Sequence, residues 1–432
     1  MTLESILLAL NEPDLAAGLR PTWESSMATF PQDARPSLLD PAVIRISREW
    51  CGLGDEADKP LCEAADRIAS DPGLCRLFWN INWQVFDSGH DLFTQATAKL
   101  ATWPRLTAAL SDQAGLFYLL SALDFVPRLR AYHRLLKIPE TVTRDTCQQV
   151  RCFSGNYQQA HGGNLGVFPS QYCWLRQYVR DNIYVRLGRL EFWARPYGGE
   201  ATVFRHRLSG ATMVLAAEGA CFNAEGYMDE AEHQPSRGPN WTATLRITPS
   251  AVRGYPITPW GKALRREIEL PSADWDRVLT RDDPVYDVHI PSGGNMGLDK
   301  VVDAFRRAHQ FFRTQFPARA GVAFVCSSWA FSPFLENVLG PDANLAHVAR
   351  EVYLHPIAST GPASLWFIFL QDKFDLATVP RDTRVQRALA DYLGQGHIWR
   401  NGAMFFLVDD LERLGAQYYR AQWPAIQKQF AL

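Results

Sequence analysis

The apolar residues of this chain change period once, and that change limits what it can fold into. Through the first 140 residues they recur at helical spacing; beyond about residue 180 they alternate as strands do. "LDPAVIRISREW" opens on Asp40-Pro41 and "DKPLCEAADRIAS" carries Pro60, both good helix entries. "QAGLFYLLSALDFVPRLRAYHRLLK" reads as one long buried helix ending near Pro139. Residues 145 to 180 hold a glycine-rich connector, "GNYQQAHGGNLGVFPS", and a further helix, "SQYCWLRQYVRDN". The alternating part begins at "RLGRLEFWARP", where Arg189, Glu191, Trp193 and Arg195 share one face and Leu190, Phe192 and Ala194 the other. "ATVFRHRLSGATMVLAAEG" and "WTATLRITP" are further strand candidates, and the strand order between 200 and 285 stays open. The fold class that follows is α+β: a helical domain over residues 1–145, then a mixed β-sheet domain flanked by helices over 146–432.

A chain of 432 residues exceeds one ordinary core, which agrees with at least two domains. With 47% apolar and 21% charged residues it has the composition of a globular protein. A net charge of −2 gives no electrostatic reason to expect nucleic acid, and no apolar run is long enough to span a bilayer. Eight cysteines are scattered without a C-x-x-C pair, which argues against a zinc ribbon or a redox motif. The opening "MTLESILLALNEPDL" lacks an early basic cluster, so the expected location is cytoplasmic and the cysteines are expected reduced.

From residue 285 the pattern sharpens. "VYDVHI" reads as a strand, Ser292, Gly293, Gly294, Asn295, Met296 and Gly297 as a loop, and 298–316 as a helix with Leu298, Val301, Val302, Phe305, Phe312 and Phe316 in one stripe. A helix N-terminus carries about half a positive charge and unpartnered N–H groups, and glycines let a phosphate approach them. The loop lacks the G-K-[ST] of a P-loop and the G-x-G-x-x-G of a dinucleotide site, so a plain strand-to-helix turn competes with an anion site. Downstream, "GVAFVCSSWAF" reads as strand, "DANLAHVAREVY" as helix, "SLWFIFLQ" as strand, "TRVQRALADYLGQG" as helix, "GAMFFLV" as strand and "DLERLGAQYYRAQWPAIQKQF" as the last helix.

On the "VYDVHI" strand, Tyr286, Val288 and Ile290 form the natural core face, leaving Asp287 and His289 together on the other. A carboxylate beside an imidazole fixes its tautomer and raises its basicity; a structural histidine is the plainer reading. Cys326 and Ser328 share a face of the next strand, so a Cys–His pair is conceivable, although free cysteine usually behaves as a small buried hydrophobe. Glu191, flanked by Arg189, has an ordinary surface or structural ion pair as its default reading. Asp229, Glu230, Glu232 and His233 lack a metal-binding spacing and read as a solvated acidic loop; no metal site is expected.

Several phrases, in order, resemble a bacterial family that joins a helical N-acyltransferase N-terminal domain to a GNAT-like C-terminal domain. They are "RLGRLEF" (186–192), "VHIPSGGNM" (288–296), "AHQFFRTQFP" (308–317), "FVCSSWAFSPFLENVLGPDANLAHV" (324–348) and "VPRDTRVQRALADYLGQGHIWRNGAMFF" (379–406). The resemblance implies an enzyme that moves an acyl group from a coenzyme A thioester, or an acyl carrier protein, to an amine on a small molecule or peptide. It implies that the donor pyrophosphate sits on the loop after a central strand, here "VYDVHI", and that "AFVCSSWAF" splays from that strand. The usual Arg/Gln-x-x-Gly-x-Gly/Ala loop pattern fits in no frame: from His289 the glycine positions hold Ser292 and Gly294, and from Ser292 they hold Asn295 and Gly297. Such enzymes also place an acidic tyrosine about seven residues after an asparagine; here Tyr353 follows Asn344 by nine.

The chemistry needs a base, because an amine is mostly protonated at neutral pH, and N–H donors for the carbonyl oxygen. His289 oriented by Asp287 is the first choice of base and Glu191 the second, with the N–H groups of residues 293 to 297 on the phosphates. The helical domain is expected to shape the acceptor pocket. Two alternatives stand beside direct transfer: a Cys326-dependent thioester hydrolase or transferase, and a non-catalytic acyl-CoA-binding or scaffold protein.

Overall fold

The computed structural model describes all residues except 32–34, 99, 101–102, 200, 231–239, 360–364 and 372–373. It divides into two compact units, Met1–Arg186 with Pro291–Gly293, and Leu187–Ile290 with Gly294–Leu432.

The first unit is helical. Its α1 (Pro41–Cys51) starts where the sequence signals a start: Asp40 accepts from the Ala42 N–H at 2.7 Å, and Gly52 ends the helix in the left-handed region. In α2 (Pro72–Phe86) the cap is Asp71, and eleven of the fifteen residues are buried. The helix expected to run unbroken from residue 113 is two: α3 (Ala114–Leu123) and a second over Phe125–Leu135. Pro127 stands in the first turn of the second, where it has no N–H for the carbonyl four residues earlier, so the chain restarts there. Arg176 binds the end of α2, donating to the carbonyls of Val85 at 2.5 Å and Ser88 at 2.9 Å.

The second unit holds two larger sheets, beside a three-stranded and a two-stranded one. The strands of the two larger sheets include β1 (Leu190–Pro196), β2 (Thr202–His206), β3 (Thr212–Leu215), β4 (Pro256–Thr258), β5 (Lys262–Ala263), β6 (Trp275–Leu279), β7 (Pro284–His289), β8 (Ala323–Ser328), β9 (Tyr353–Pro356) and β10 (Gly402–Leu407). Within this unit the large sheet runs β1-β7-β8-β10-β9, and the smaller one runs β5-β4-β3-β2-β6. Among the described strands of these sheets only β7 and β8 are parallel neighbours, joined by the crossover helix α4 (Leu298–Gln315). One face of the large sheet packs on α4: Phe324 stacks on Phe305 at 4.1 Å and Tyr286 on Phe312 at 4.7 Å. The other face turns to the smaller sheet, where the Tyr353 hydroxyl donates to the Ile257 carbonyl at 2.5 Å. Beyond α4, the longer helices among the described residues are α5 (Asn344–Glu351), α6 (Arg384–Gly394) and α7 (Tyr418–Phe430).

At the root of the parallel pair the backbones lie close. A Cβ on Gly321 would stand 2.9 Å from the carbonyl carbon of Val285, so only glycine fits without displacing β7.

Two readings are corrected. Trp366–Phe369, expected as part of a strand, is one helical turn with Ile368 and Phe369 buried and Phe367 exposed. A short apolar run does not distinguish a strand from a buried helical turn. Tyr353, expected as a helix end, opens the edge strand β9; its four residues include a proline, tolerated because the strand is at the sheet edge. Among the described residues, no helix is long and apolar enough to cross a membrane.

Candidate active site

Alternation along β7 puts Val285, Asp287 and His289 on the face away from α4, as the sequence suggested. Register completes that face. The antiparallel pairing sets Arg195 against Val285, Trp193 against Asp287 and Glu191 against His289. On the other side, Asp287 is level with Val325 of β8, and across β10 Ser327 and His355 come level through Ala403. Glu191, Asp287, His289, Ser327 and His355 therefore share one face. Cys326 and Ser328 alternate to the face toward α4.

The ladder between β7 and β8 is short. It joins Val285, Tyr286 and Asp287 to Ala323, Phe324 and Val325. Past that point, among the described residues, Val288 and His289 pair only with β1, and Cys326 to Ser328 only with β10. The two strands part, leaving a wedge with His289 on one arm and Ser327 on the other.

A cavity of about 440 Å³ lies on the same face, its lining including Arg195, Asp287, Ser327 and His355 from the large sheet and Phe222 and Ile257 opposite. Asp287 is nearly buried and ion-paired to Arg195, and its Oδ2 also lies 3.6 Å from His289 Nε2. That carboxylate serves two cationic or potentially cationic groups at once. Arg195 also lies over the Trp193 ring at 5.1 Å. Glu191, for which the sequence leaves a surface or a structural ion pair open, is 1% exposed. Burial pushes His355 down to about 4, so it is a neutral imidazole at neutral pH.

The loop residues fall as follows. Ser292 donates to the Cys152 carbonyl at 3.0 Å within the first unit. Gly293 and Gly294 have φ of +80° and +71°, the left-handed region that favours glycine. In the second unit Arg189 Nε donates to the Asn295 carbonyl at 3.1 Å, the Asn295 side chain accepts from the Gly297 N–H at 3.3 Å, and Met296 is buried. The loop after Gly294 thus runs beside a guanidinium and into the start of α4.

The remaining candidates lie apart from His289. Burial pushes the Cys326 thiol well above its usual range, and the Asp287 carboxylate adds to this; the thiol is at the cavity boundary but on the other strand face from the imidazole. Ser328 Oγ accepts from the Ala330 N–H at 3.2 Å and caps the turn after β8. Tyr353 is fully buried, and burial raises its phenol well above the ordinary value. Asp229, expected in a solvated loop, is instead ion-paired at 2.5 Å to Arg400 with both side chains nearly buried; Glu232 and His233 lie outside the described residues. Among the described residues no group of three His, Cys, Asp or Glu is placed to hold a metal.

Arg195, Ser327 and His355 enter the site unannounced. Their alternation was readable, but their partners lie on strands that only the three-dimensional register brings level.

A crossover-linked parallel pair that opens at its C-terminal end, with a loop and helix N-terminus beyond it, is the layout of a GNAT-like mixed-sheet fold. The chain belongs to the family of the GNAT-like C-terminal domain, which matches residues 184–406, and carries an N-acyltransferase N-terminal domain over 48–180. That membership makes it an enzyme of the GNAT-like N-acyltransferase class. Similar solved structures include an acyltransferase in complex with decanoyl-CoA and teicoplanin, 18% identical, covering 94% of this chain and 100% of that one, with a TM-score of 0.56. Another is an acyltransferase in complex with CoA and 10C-teicoplanin, also 18% identical with the same coverage and a TM-score of 0.57. At that identity the likeness is one of fold. None of the curated proteins matches the chain.

Proposed function

We propose that the protein transfers an acyl group from a coenzyme A thioester directly to an amine. The observation that carries this reading is the wedge between β7 and β8: parted strands expose backbone donors and acceptors to which an amide-bearing pantetheine arm can bond as an added strand does. The similar structures hold decanoyl-CoA and CoA, which supports the same donor here.

In this reading the N–H groups from Gly294 into the first turn of α4, with Arg189 beside them, hold the donor phosphates. Asp299 in that first turn opposes a phosphate, and Arg189 offsets it. His289 takes a proton from the amine as the nitrogen attacks the thioester carbonyl, with Asp287 and Glu191 orienting the ring. The carbon–sulfur bond breaks, and the thiolate leaves with little help because thiols are moderately acidic, with pKa about 8.5. An acyl carrier protein presents the same arm and is the alternative donor.

Calorimetric titration with coenzyme A and decanoyl-CoA tests the reading. Saturable binding of both is expected, with acylation of an amine in the presence of decanoyl-CoA. Failure of both ligands to bind would sink the coenzyme A donor. Tight binding with hydrolysis or no turnover against an amine panel would sink direct transfer.

A further inference from the structure

We infer that the acceptor is a zwitterionic α-amino acid with an apolar side chain, its amine nitrogen held at Asp287 and its carboxylate at Arg195. This rests on the acyl-transfer reading and adds the identity of the acceptor class.

The argument starts from charge. Among the described residues lining the cavity, the ionised groups are one cation, Arg195, and one anion, Asp287, while His355 is neutral because burial holds it down. The two are ion-paired, with Asp287 the more buried partner. A simple carboxylate pairs with Arg195 and takes the cation from the nearly buried Asp287, while a polyamine pairs with Asp287 and leaves the half-exposed Arg195 to solvent alone. A zwitterion inserts between them and keeps every charge paired. A guanidinium has five N–H donors, and its closest approach to Asp287 is through one terminal nitrogen, so a carboxylate can be held by the fork while that contact loosens.

Position makes the same choice. Asp287 Oδ2 is 3.6 Å from His289 Nε2, so an amine held there stands at the imidazole and at the mouth of the wedge. Arg195 lies two strand positions further back, level with Val285, so the carboxylate points away from the reacting bond. The facing wall supplies Ala216, Phe222, Met228 and Ile257, which suit an aliphatic or aromatic side chain and no further charge.

The step balances. The ammonium loses one proton to solvent through His289. The neutral nitrogen forms the carbon–nitrogen bond, its second proton passes through His289 to the departing sulfur, and the carbon–sulfur bond breaks. The products are an N-acyl amino acid and the free coenzyme A thiol.

The test uses the full chain with decanoyl-CoA and L-leucine, L-methionine and L-phenylalanine, each compared with its carboxamide, and with 1,4-diaminobutane. Acylation of at least one amino acid is expected, with kcat/KM above that of its carboxamide by roughly thirtyfold, the scale of a charge-assisted contact. Arg195→Gln should collapse that ratio, and Arg195→Lys should restore part of it. Amino acid binding is read separately, by saturation-transfer NMR on the unreacted protein. Binding lost in Arg195→Gln upholds the cavity assignment even where transfer from coenzyme A fails. Carboxamides or the diamine turned over as well as the acids, a ratio unchanged in Arg195→Gln, or no amino acid bound by a protein that binds coenzyme A, would each overturn the inference while leaving the donor reading standing.

Discussion

Glu191 and His289 face each other directly across the antiparallel pair β1–β7, the acid almost wholly buried and the imidazole at the end where the sheet opens. Opposite side chains in such a pair have Cβ atoms about 5 Å apart, within reach of a hydrogen bond from ring to carboxylate. With Asp287 two residues before it on the same face, His289 stands between two acids.

Replacing His289 tests its role most directly. His289→Ala is expected to lower kcat by about 10²–10⁴, the usual range for a general base, with coenzyme A affinity within about threefold. Glu191→Gln keeps the shape and should lower kcat by roughly 10–100-fold, as loss of an orienting partner does. Steady-state kinetics beside calorimetry checks both. A large fall in melting temperature in His289→Ala, with little change in kcat, would mark the histidine as structural.

At Gly294, backbone conformation and ligand contact are separable. Valine at φ +71° is strained by about 1–3 kcal/mol, and its Cβ would come into contact with the Arg189 guanidinium at 3.7 Å. Gly294→Val is expected to weaken coenzyme A binding by about tenfold or more; Gly294→Asn, which tolerates the left-handed region, should retain most of it. Equal affinities in the two variants would remove the loop from the donor site.

Acid should weaken the helical unit through His133. Burial holds this ring down at about 4 from an ordinary 6.5, and its Nδ1 lies 2.9 Å from Thr143 Oγ1. Above pH 6.5 both folded and unfolded chains carry it neutral; as pH falls, the unfolded chain takes the proton first. Stability is therefore lost between pH 6.5 and about 4, by roughly 1–2 kcal/mol at pH 5. Thermal unfolding at pH 7 and pH 5 should show a smaller drop for His133→Gln than for the wild type.

Asp410 anchors the far end of the large sheet. It has no exposed surface, accepts from Arg205 and from the Tyr419 hydroxyl at 3.0 Å, and Tyr419 in turn accepts from the Leu407 N–H at 2.9 Å. Asp410→Ala leaves a half-buried guanidinium without its anion and should cost about 3–5 kcal/mol, against about 1 kcal/mol for Tyr419→Phe. Chemical denaturation of the three proteins checks the order.

What the sequence disclosed followed distance along the chain. The core face of β7, the stripe on α4 and the Asp40 cap depend on neighbours within a few residues, and each appears where periodicity put it. Glu191 left a surface and a structural ion pair equally open because nothing local says that its strand lies inside a sheet; residue 289, nearly a hundred positions away, decides that. The same holds for Cys326, whose side of the sheet relative to His289 is a matter of register between parallel strands. His355 was missed because its strand is four residues long, ends in proline and reads as the end of a helix.

The close approach at Gly321 has a mechanical consequence. Two parallel strands clamped at one end and released at the other act as a pair of tongs, and the spread of the tips follows from the backbone fit at the pivot. Side chains further out can be exchanged without altering that spread. In the proposed reaction, the separation of the reacting groups and the choice of what enters beside them would thus be adjusted at different places in the chain. A residue larger than glycine at 321 would disturb every substrate alike, while changes in the cavity wall would favour one over another.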